Sequence, residues 1–360
     1  MKVMFIVQGE GRGHMTQALA LRELYEEQGH EICCVIVGHN KKKGSVPSFF
    51  KDAFKCRVIE TASPNFVHNE AGGVCLWKTF VKSSYSWWKL IITFLRIRSR
   101  IHKHQPDVVV NFYEPTFGIY RLLGGNCKKS YAIGHQFMFL HPDYVCNKDQ
   151  ENRLSMFFAK QFTRLVGAKS EKVALSITEE LPKSGITIVP PILRKAIFDA
   201  SAPVSQDGFI LLYALGKGFG KRLMDEHSSS RIEVFTEKFW PSDKSTFEFG
   251  NITFNQLDGE KFLLYMRKSN MVVCTAGFET ASEAAYLGKK VMMIPTPNHV
   301  EQYYNAWDFQ LAGLAKMRKD FDTLDLSNTN LNPEAIKKFQ VWVDSYKSRF
   351  ISVLCLDRQK

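Results

Sequence analysis

The sequence predicts an α/β protein made of two Rossmann-like, doubly wound domains. Short apolar strands alternate with amphipathic helices along most of the chain. A glycine-rich turn joins a strand to a helix twice, once near the start of each half, at residues 9–13 and 216–220. The proline-containing segment 191–207 separates the two halves. We therefore expect an N-terminal domain over 1–190, a linker over 191–207, a second domain over 208–332 and a C-terminal helix over 333–360 that returns to the first domain.

The bulk composition limits the classes of protein to consider. A chain of 360 residues with 45% hydrophobic residues can form two cores, which argues against disorder. The net charge of +12 favours an anionic partner such as a nucleotide, a phospholipid surface or a nucleic acid. The 8 cysteines have no metal-binding spacing and indicate reduced thiols. With neither a signal peptide nor a membrane span expected, the predicted location is cytoplasmic.

The first strand and helix enclose a glycine-rich loop that ends in a histidine. Residues 2–7 form an apolar strand, and the loop that follows contains Gly11, Gly13 and His14. Its spacing differs from G-x-G-x-x-G, and the next strand, 31–37, ends without an acidic residue, so a dinucleotide site is not indicated. The loop is either a tight corner or a place where a ligand approaches the backbone. An imidazole in the first helical turn there is placed for proton transfer.

Two further strands of this half end in polar residues. Glu114 follows the strand 107–111, and His135 follows the strand 130–134. Strand ends of this kind predict a ligand site, but Glu114 equally suits the cap of the next helix, and His135 a hydrogen-bonding role. The long segment 77–104 is rich in aromatic and basic residues and has no acidic residue. It is interpreted either as a core helix or as a surface for an anionic membrane.

The second half repeats the strand–turn–helix pattern. The strand 208–215 leads into a second glycine-rich turn containing Gly216, Lys217 and Gly218. Later, a strand over 270–274 is followed by a Thr-Ala-Gly turn and a helix, an arrangement that lets a phosphate approach backbone N–H groups. Glu283 lies about one and a half turns into that helix, where its carboxylate can accept ribose hydroxyls.

These motifs resemble the two-domain GT-B glycosyltransferases. The closest likeness is to the group, of the family 28 and family 1 type, that contains the enzyme adding N-acetylglucosamine to the lipid intermediate of peptidoglycan. The N-terminal sequence GEGRGHMTQA looks like the glycine-rich, histidine-ending loop of that group. The C-terminal sequence TAGFETASEA, followed by PTP and EQYYNA, looks like its nucleotide-sugar signature. The resemblance implies two Rossmann-like domains facing a central cleft.

The resemblance also implies roles for individual residues. Donor contacts are implied for Gly216, Lys217, Gly218, Phe254, Leu257, Gly277, Phe278, Glu279, Glu283, Gln302 and Asn305. Glu283 would bind the ribose, Gln302 the donor sugar, and the segment from Phe254 to Leu257 the base. His14 would be the general base or a contact to the transition state, and Gly11, Gly13, Glu114 and His135 would line the acceptor side of the cleft.

The implied activity is inverting transfer of a sugar from a nucleotide donor, most simply a UDP-sugar, to a hydroxyl on a lipid or cell-envelope glycan. Retaining members carry two glutamates eight positions apart, whereas Thr275 stands eight positions before Glu283 here. Neither a metal nor another cofactor is expected, because helix N-termini carry the diphosphate charge. A peripheral location on the inner membrane face accompanies the lipid interpretation, and no nucleic-acid partner is expected. The alternatives are a UDP-sugar 2-epimerase-like isomerase and a non-catalytic nucleotide-sugar-binding protein.

Overall fold

The computed structural model describes residues 1–9, 12–39, 45–63, 87–147, 153–179, 183, 185–199, 204–205, 207–214, 230–237, 240, 244–319, 332–354 and 356. Within them the chain divides into two compact units. The first runs from Met1 to Arg194 and also contains the end of the chain from Trp342, and the second runs from Lys195 to Val341.

The first unit is built on a parallel sheet that has seven strands among the described residues. They are β1 (Lys2–Gln8), β2 (Glu31–Gly38), β3 (Val58–Thr61), β4 (Val108–Phe112), β5 (Lys129–Gly134), β6 (Glu171–Leu175) and β7 (Ile186–Val189). Their order in the sheet is β3-β2-β1-β4-β5-β6-β7, with parallel pairing throughout. The strands are continuous apolar runs because helices cover both faces of such a sheet.

Helices alternate with these strands along the first unit. They are α1 (Gly13–Glu27), α2 (Ser48–Lys51), α3 (Trp87–His104), α4 (Pro115–Leu122) and α5 (Arg153–Val166), together with a 3-10 helix at His135–Leu140. The predicted helix over 77–104 is therefore present in its described part, and residues 77–86 lie outside the described residues.

The second unit has a sheet of the same design, again with seven strands in its described part. They are β8 (Phe209–Ala214), β9 (Arg231–Thr236), β10 (Thr246–Phe249), β11 (Ile252–Gln256), β12 (Met271–Cys274), β13 (Lys290–Met293) and β14 (Lys316–Met317). Their order is β10-β11-β9-β8-β12-β13-β14, and β10 alone among these pairs antiparallel to its neighbour. The helices are α6 (Gly259–Lys268), α7 (Phe278–Tyr286) and α8 (Val300–Leu311), with a 3-10 helix at Lys195–Phe198.

Two helices, α9 (Pro333–Asp344) and α10 (Tyr346–Val353), end the described chain. Asn332 caps α9, because its side-chain oxygen accepts a hydrogen bond from the Ala335 N–H at 3.1 Å. From Trp342 onward these helices pack within the first unit, where the Trp342 indole N–H donates to the Ser176 carbonyl at 2.8 Å.

Both sheets reverse their strand order at one place, between β1 and β4 in the first unit and between β8 and β12 in the second. In open α/β sheets, ligands bind beyond the carboxyl ends of the strands at this reversal. The loop before His14 follows β1, Glu114 lies just after β4, and Gly277 lies just after β12. The α/β prediction of two doubly wound domains is confirmed, and His14, Glu114 and Gly277 lie at the sheet edges where such folds bind ligands.

The described residues contain 6 of the cysteines, and all of these are free thiols. In the same part of the chain, no helix is long and apolar enough to cross a bilayer. Nor does that part hold a cluster of three or more His, Cys, Asp or Glu side chains suited to a metal ion.

Candidate functional site

His14 lies in the first turn of α1, directly beyond the carboxyl end of β1. Its Nδ1 is 3.2 Å from the Gln17 side-chain oxygen, one helical turn further on. The residue before the helix, Arg12, makes no side-chain cap, and the first turn of α1 has no acidic residue. The positive end of the helix dipole at this site is therefore not neutralised by the helix's own side chains.

The ring of Tyr113 stacks on one face of the His14 imidazole. The two rings are stacked, with centroids 5.6 Å apart and planes inclined by 22°. Tyr113 is fixed in turn by a 2.7 Å hydrogen bond between its hydroxyl and the Thr163 hydroxyl. Its φ of 58° lies in the left-handed region, which a bulky residue rarely adopts. Such backbone strain is concentrated at functional sites, and here it turns the ring towards His14.

Glu114 is a buried helix cap. Its Oε1 accepts hydrogen bonds from the Thr116 N–H at 3.1 Å and the Thr116 hydroxyl at 2.8 Å. The residue is 0% exposed, and Gly38 at the end of β2 is so close that a Cβ there would overlap the carboxylate. Of the two interpretations of Glu114, the structure shows the capping role, and its place on the acceptor side stays a prediction.

His135 is also buried, at 4% exposure, in the 3-10 helix that follows β5. Its Nδ1 is 2.7 Å from the Leu175 carbonyl oxygen at the end of β6. Because a carbonyl only accepts, Nδ1 carries the proton. The hydrogen-bonding role left open for His135 is the one observed: it ties two neighbouring strand ends together beneath the surface.

The turn between β12 and α7 has an unusual backbone. Ala276 has a φ of 51°, in the left-handed region, and is 0% exposed. Its carbonyl accepts a 2.9 Å hydrogen bond from the side-chain amide of Asn305 on α8. Asn305 is 1% exposed, and its Oδ1 is buried without a protein hydrogen-bond partner in the described part of the chain. This residue thus joins α8 to the turn that starts α7.

Gly277 begins α7 with no side-chain cap. Its φ of −73° and ψ of 130° suit any residue, and a Cβ added there would meet nothing within 4 Å. Neither backbone conformation nor packing within the chain therefore requires glycine at this position. A glycine of this kind leaves room for a ligand to approach the backbone at a helix N-terminus.

Three predicted donor residues lie on α7. Phe278 is 4% exposed and packs edge-on against Phe309 of α8, with ring centroids 6.0 Å apart. Glu279 is half-buried in the first turn, and Glu283 is 2% exposed in the second. The Glu283 side chain is therefore enclosed within the second unit, one turn beyond the more exposed Glu279.

The start of α8 is organised by its own side chains. His299 caps the helix, with its Nδ1 accepting from the Gln302 N–H at 3.3 Å. The Gln302 side-chain oxygen accepts the Thr296 N–H at 2.8 Å and so closes the loop that precedes the helix. Because the oxygen is used in this way, the orientation of the Gln302 amide is fixed, with its nitrogen as the remaining group.

The predicted base-binding segment divides into two parts. Phe254 on β11 is 0% exposed and stacks on Phe247 within the core, so its side chain cannot contact a ligand. Leu257 is half-buried just beyond the carboxyl end of β11. Any contact from Phe254 would have to come from its backbone. That the segment from Phe254 to Leu257 holds the base stays a prediction.

The structure brings most of the predicted residues to the two strand reversals. In the first unit it places Gly13 and His14 at the start of α1. In the second it places Gly277, Glu279 and Glu283 on or before α7. Gly11, Gly216, Lys217 and Gly218 lie outside the described residues.

Sequence reasoning missed Tyr113 and Gln17. Tyr113 stands next to the singled-out Glu114, and Gln17 is three residues after His14. The i,i+3 spacing was a usable signal for Gln17, whereas the left-handed backbone of Tyr113 had no sequence signature.

Solved structures of similar fold cover nearly the whole chain. The MurG structure from Acinetobacter baumannii covers 98% of this chain, and 99% of that chain is covered, at 17% identity and a TM-score of 0.54. For UGT2 of Phytolacca americana, complexed with UDP-2-fluoro-glucose and pterostilbene, both shares are 98%, with 10% identity and a TM-score of 0.59. For LpCGTa in complex with UDP, the shares are 100% and 99%, with 13% identity and a TM-score of 0.61. The fold is therefore that of the GT-B glycosyltransferases.

The family assignment comes from sequence. The model described as glycosyl transferase family 1 matches residues 1–339, and the chain belongs to that family. A glycosyltransferase of Methanosarcina mazei, itself uncharacterised, is 25% identical over 342 residues, which are 88% of this chain and 85% of the relative. A second one from the same organism is 24% identical over 348 residues, 88% of this chain and 86% of the relative. The protein is a glycosyltransferase, and the predicted resemblance is confirmed.

Proposed function

We propose that this glycosyltransferase moves a sugar from a UDP-sugar to a hydroxyl acceptor, with inversion and without a metal ion. The observation that carries the proposal is the start of α7, where Gly277 leaves open space at an uncapped helix N-terminus. Anions bind at such N-termini because the first N–H groups point outward and the dipole favours negative charge. UDP as the nucleotide is supported by the UDP complexes of the solved neighbours.

In this proposal the second unit holds the donor. The diphosphate lies at the N–H groups of the α7 start, beside Gly277, and Glu283 accepts the ribose hydroxyls. The Gln302 amide nitrogen donates to a sugar hydroxyl, because its oxygen is held by the Thr296 N–H. The backbone after β11, near Leu257, contacts the base. Asn305 keeps the Ala276 carbonyl in place and so acts on the turn rather than on the donor.

The first unit supplies the base. The Gln17 side-chain oxygen accepts a hydrogen bond from the Nδ1–H of His14. The lone pair of Nε2 is then left to take the proton of the acceptor hydroxyl. The acceptor oxygen then bonds to the anomeric carbon as the bond from that carbon to the diphosphate breaks, with its electron pair going to the departing diphosphate. A single displacement of this kind inverts the anomeric configuration. The absence of a second glutamate eight positions before Glu283, where Thr275 stands, supports inversion.

The test begins with thermal stabilisation of the whole chain by UDP, GDP, dTDP and CMP in the presence of EDTA. We expect a rise in Tm with UDP that is lost in Glu283→Gln, while Glu260→Gln, which alters an exposed acid on α6 of the same unit, serves as the control. Equal shifts with all four nucleotides, or a shift only after Mg²⁺ is added, would overturn the donor proposal.

Turnover assays distinguish a transferase from a UDP-sugar 2-epimerase-like isomerase and from a non-catalytic nucleotide-sugar-binding protein. Incubating the protein with a UDP-sugar alone should leave the sugar nucleotide unchanged, apart from slow hydrolysis, whereas an epimerase would convert it. With an acceptor, NMR of the product should give the anomer opposite to that of the donor. UDP-sugar binding with no product for any hydroxyl acceptor in a broad panel would favour a binding protein.

A peripheral membrane location is a second proposal, and it rests on α3. This helix buries one side through Thr93, Ile97 and Ile101, yet it exposes a second apolar stripe on its opposite side. The stripe consists of Trp88, Ile91, Ile92 and Leu95, which are between 40% and 53% exposed. Basic residues follow on the same helix, a pattern that suits an anionic interface.

Vesicle sedimentation tests this location. We expect the wild type to bind anionic vesicles and the Ile91→Ser/Leu95→Ser variant to lose binding. The matched control is Leu264→Ser, which alters a leucine that is 49% exposed on α6 of the second unit. Equal binding of the two variants would refute a membrane role for α3.

A further inference from the structure

A concave surface lies in the first unit beside the edge strand β3. It is a depression of about 410 Å³ where the edge strand β3 meets α3. Its lining residues are Arg57, Val58, Ile59, Glu60, Arg96 and Arg100. Three of these six side chains are guanidinium groups, and two of them come from one helix with the spacing i,i+4, which places them on the same face.

The three arginines have no carboxylate partner among the residues that the structure describes. Glu60 also lines the depression, but its carboxylate is paired with Lys51 at 2.6 Å and His39 at 3.3 Å. The Arg96 guanidinium donates to the backbone carbonyl of Glu60 at 3.2 Å and not to its carboxylate. The negative charge nearest the arginines is therefore paired with Lys51, and the depression retains an excess of positive charge.

The neighbouring side chains report the same excess. The pKa of His104, one turn after Arg100, lies below its ordinary value, mainly through burial and then through the charges of Lys103, Arg100 and Lys2. The Glu31 carboxylate opposes this shift without reversing it, and α3 itself contains no acidic residue. Like charges gathered in one concavity repel each other, and a bound anion relieves that repulsion.

We propose that the depression formed by Arg57, Arg96 and Arg100 is a binding site for a phosphate or diphosphate group, separate from the donor site at α7. Guanidinium groups suit this ligand because their paired N–H donors match phosphate oxygens in a bidentate way. Val58 and Ile59 also line the depression and add apolar surface beside the guanidinium groups. The group is carried either by a soluble metabolite or by a lipid headgroup, and the inference stands whether or not the donor is a UDP-sugar.

The test compares two variants of the same helix. Arg96→Gln/Arg100→Gln removes two groups of the site, and Arg98→Gln/Lys103→Gln removes two charges of α3 that do not line it. Pyrophosphate affinity is measured by calorimetry at constant ionic strength. We expect the control to bind pyrophosphate with the wild-type affinity. At the proposed site, the affinity of the site variant should be lower by about tenfold or more. Any pyrophosphate bound at α7 contributes equally in all three proteins.

A vesicle arm distinguishes the two sources of phosphate. Phosphatidylcholine vesicles containing phosphatidic acid are compared with vesicles in which phosphatidylglycerol replaces the phosphatidic acid. If the site variant, but not the control, loses binding to phosphatidic acid vesicles, the phosphate belongs to a lipid headgroup. If the site variant loses pyrophosphate binding but keeps binding to these vesicles, the ligand is soluble. If the site variant and the control behave alike in both arms, the depression is only a solvated basic surface and the proposal is wrong.

Discussion

The His14 imidazole stacks on the ring of Tyr113, with centroids 5.6 Å apart. The two residues are 99 positions apart, and the contact joins the first turn of α1 to the end of β4 across the strand reversal of the first sheet. Stacking on one face and the Gln17 contact at Nδ1 restrict the ring to one orientation. A general base needs such restriction, because small misplacements of reacting groups are costly in rate.

The first prediction concerns the Tyr113 ring. Tyr113→Leu should lower kcat about tenfold or more, with the donor KM little changed, because the imidazole loses its support. Tyr113→Phe keeps the ring and removes only the hydrogen bond to Thr163, so it should retain most activity. Steady-state kinetics on both variants, with Tm measured alongside, checks this. If Tyr113→Phe is as damaged as Tyr113→Leu, the hydroxyl and not the stacking is what matters.

The second prediction concerns Gln17, which is 1% exposed and holds Nδ1 of His14 at 3.2 Å. Gln17→Met removes the acceptor while nearly preserving the volume. We expect kcat to fall about tenfold and donor binding to stay unchanged, since a lost hydrogen bond to the base affects its orientation alone. Gln17→Glu restores an acceptor oxygen and should recover activity. If Gln17→Met lowers Tm but leaves kcat unchanged, Gln17 contributes to packing and not to catalysis.

The third prediction compares two glycines at strand ends. Gly277→Ala should change the free energy of unfolding by less than about 1 kcal/mol, because the backbone suits alanine and the new Cβ meets nothing. It should nevertheless weaken UDP binding about tenfold or more, because the methyl group occupies the approach to the helix N-terminus. Gly38→Ala forces the Glu114 carboxylate off its cap and should cost about 1–3 kcal/mol of stability.

Urea unfolding and UDP titration of both variants separate the two roles. The expected pattern is reciprocal: Gly277→Ala is stable but binds poorly, and Gly38→Ala is unstable but binds normally at low temperature. If Gly277→Ala binds UDP with unaltered affinity, the proposed position of the diphosphate at the start of α7 is wrong.

The sequence predicts the fold well because parallel strands buried on both faces are apolar throughout and end sharply at glycine or polar residues. The run KVMFIV coincides with β1 apart from its last residue, Gln8. Asp258 and Asn332 are recognisable caps because the carboxylate or amide oxygen precedes a helical pattern, and both accept the expected N–H groups.

The side-chain environments are less predictable, because they depend on contacts between distant segments. Glu114 looks like a site residue from its position after β4, but only the closeness of Gly38 shows that it is enclosed. Phe254 has the same difficulty: strand periodicity does not say which face of β11 meets Trp240 and Phe247. The left-handed backbones of Tyr113 and Ala276 follow from the sharp strand-to-helix turns, and neither residue type signals them.

The last prediction concerns Lys289, which is 2% exposed just before β13. Its ammonium donates to the carbonyls of Ser205, Arg267 and Ser269 at 2.7, 2.6 and 2.8 Å. The group therefore fastens the segment before β8 to the end of α6. Lys289→Met leaves three acceptors without this donor and should destabilise the protein by about 2–4 kcal/mol.

The pH dependence of that loss has a definite sign. Burial lowers the pKa of Lys289 to about 8, with Arg267 adding to the effect and Asp207 opposing it, against 10.5 for the group in its ordinary state. Between these values the unfolded chain binds the proton and the folded chain does not, so this group makes the folded state more stable as pH rises. The difference in unfolding free energy between wild type and Lys289→Met should therefore grow from pH 7.5 to 9.5 in urea titrations. Parallel curves for the two proteins would mean that the buried ammonium keeps its proton throughout, and that the three carbonyls outweigh its loss of hydration.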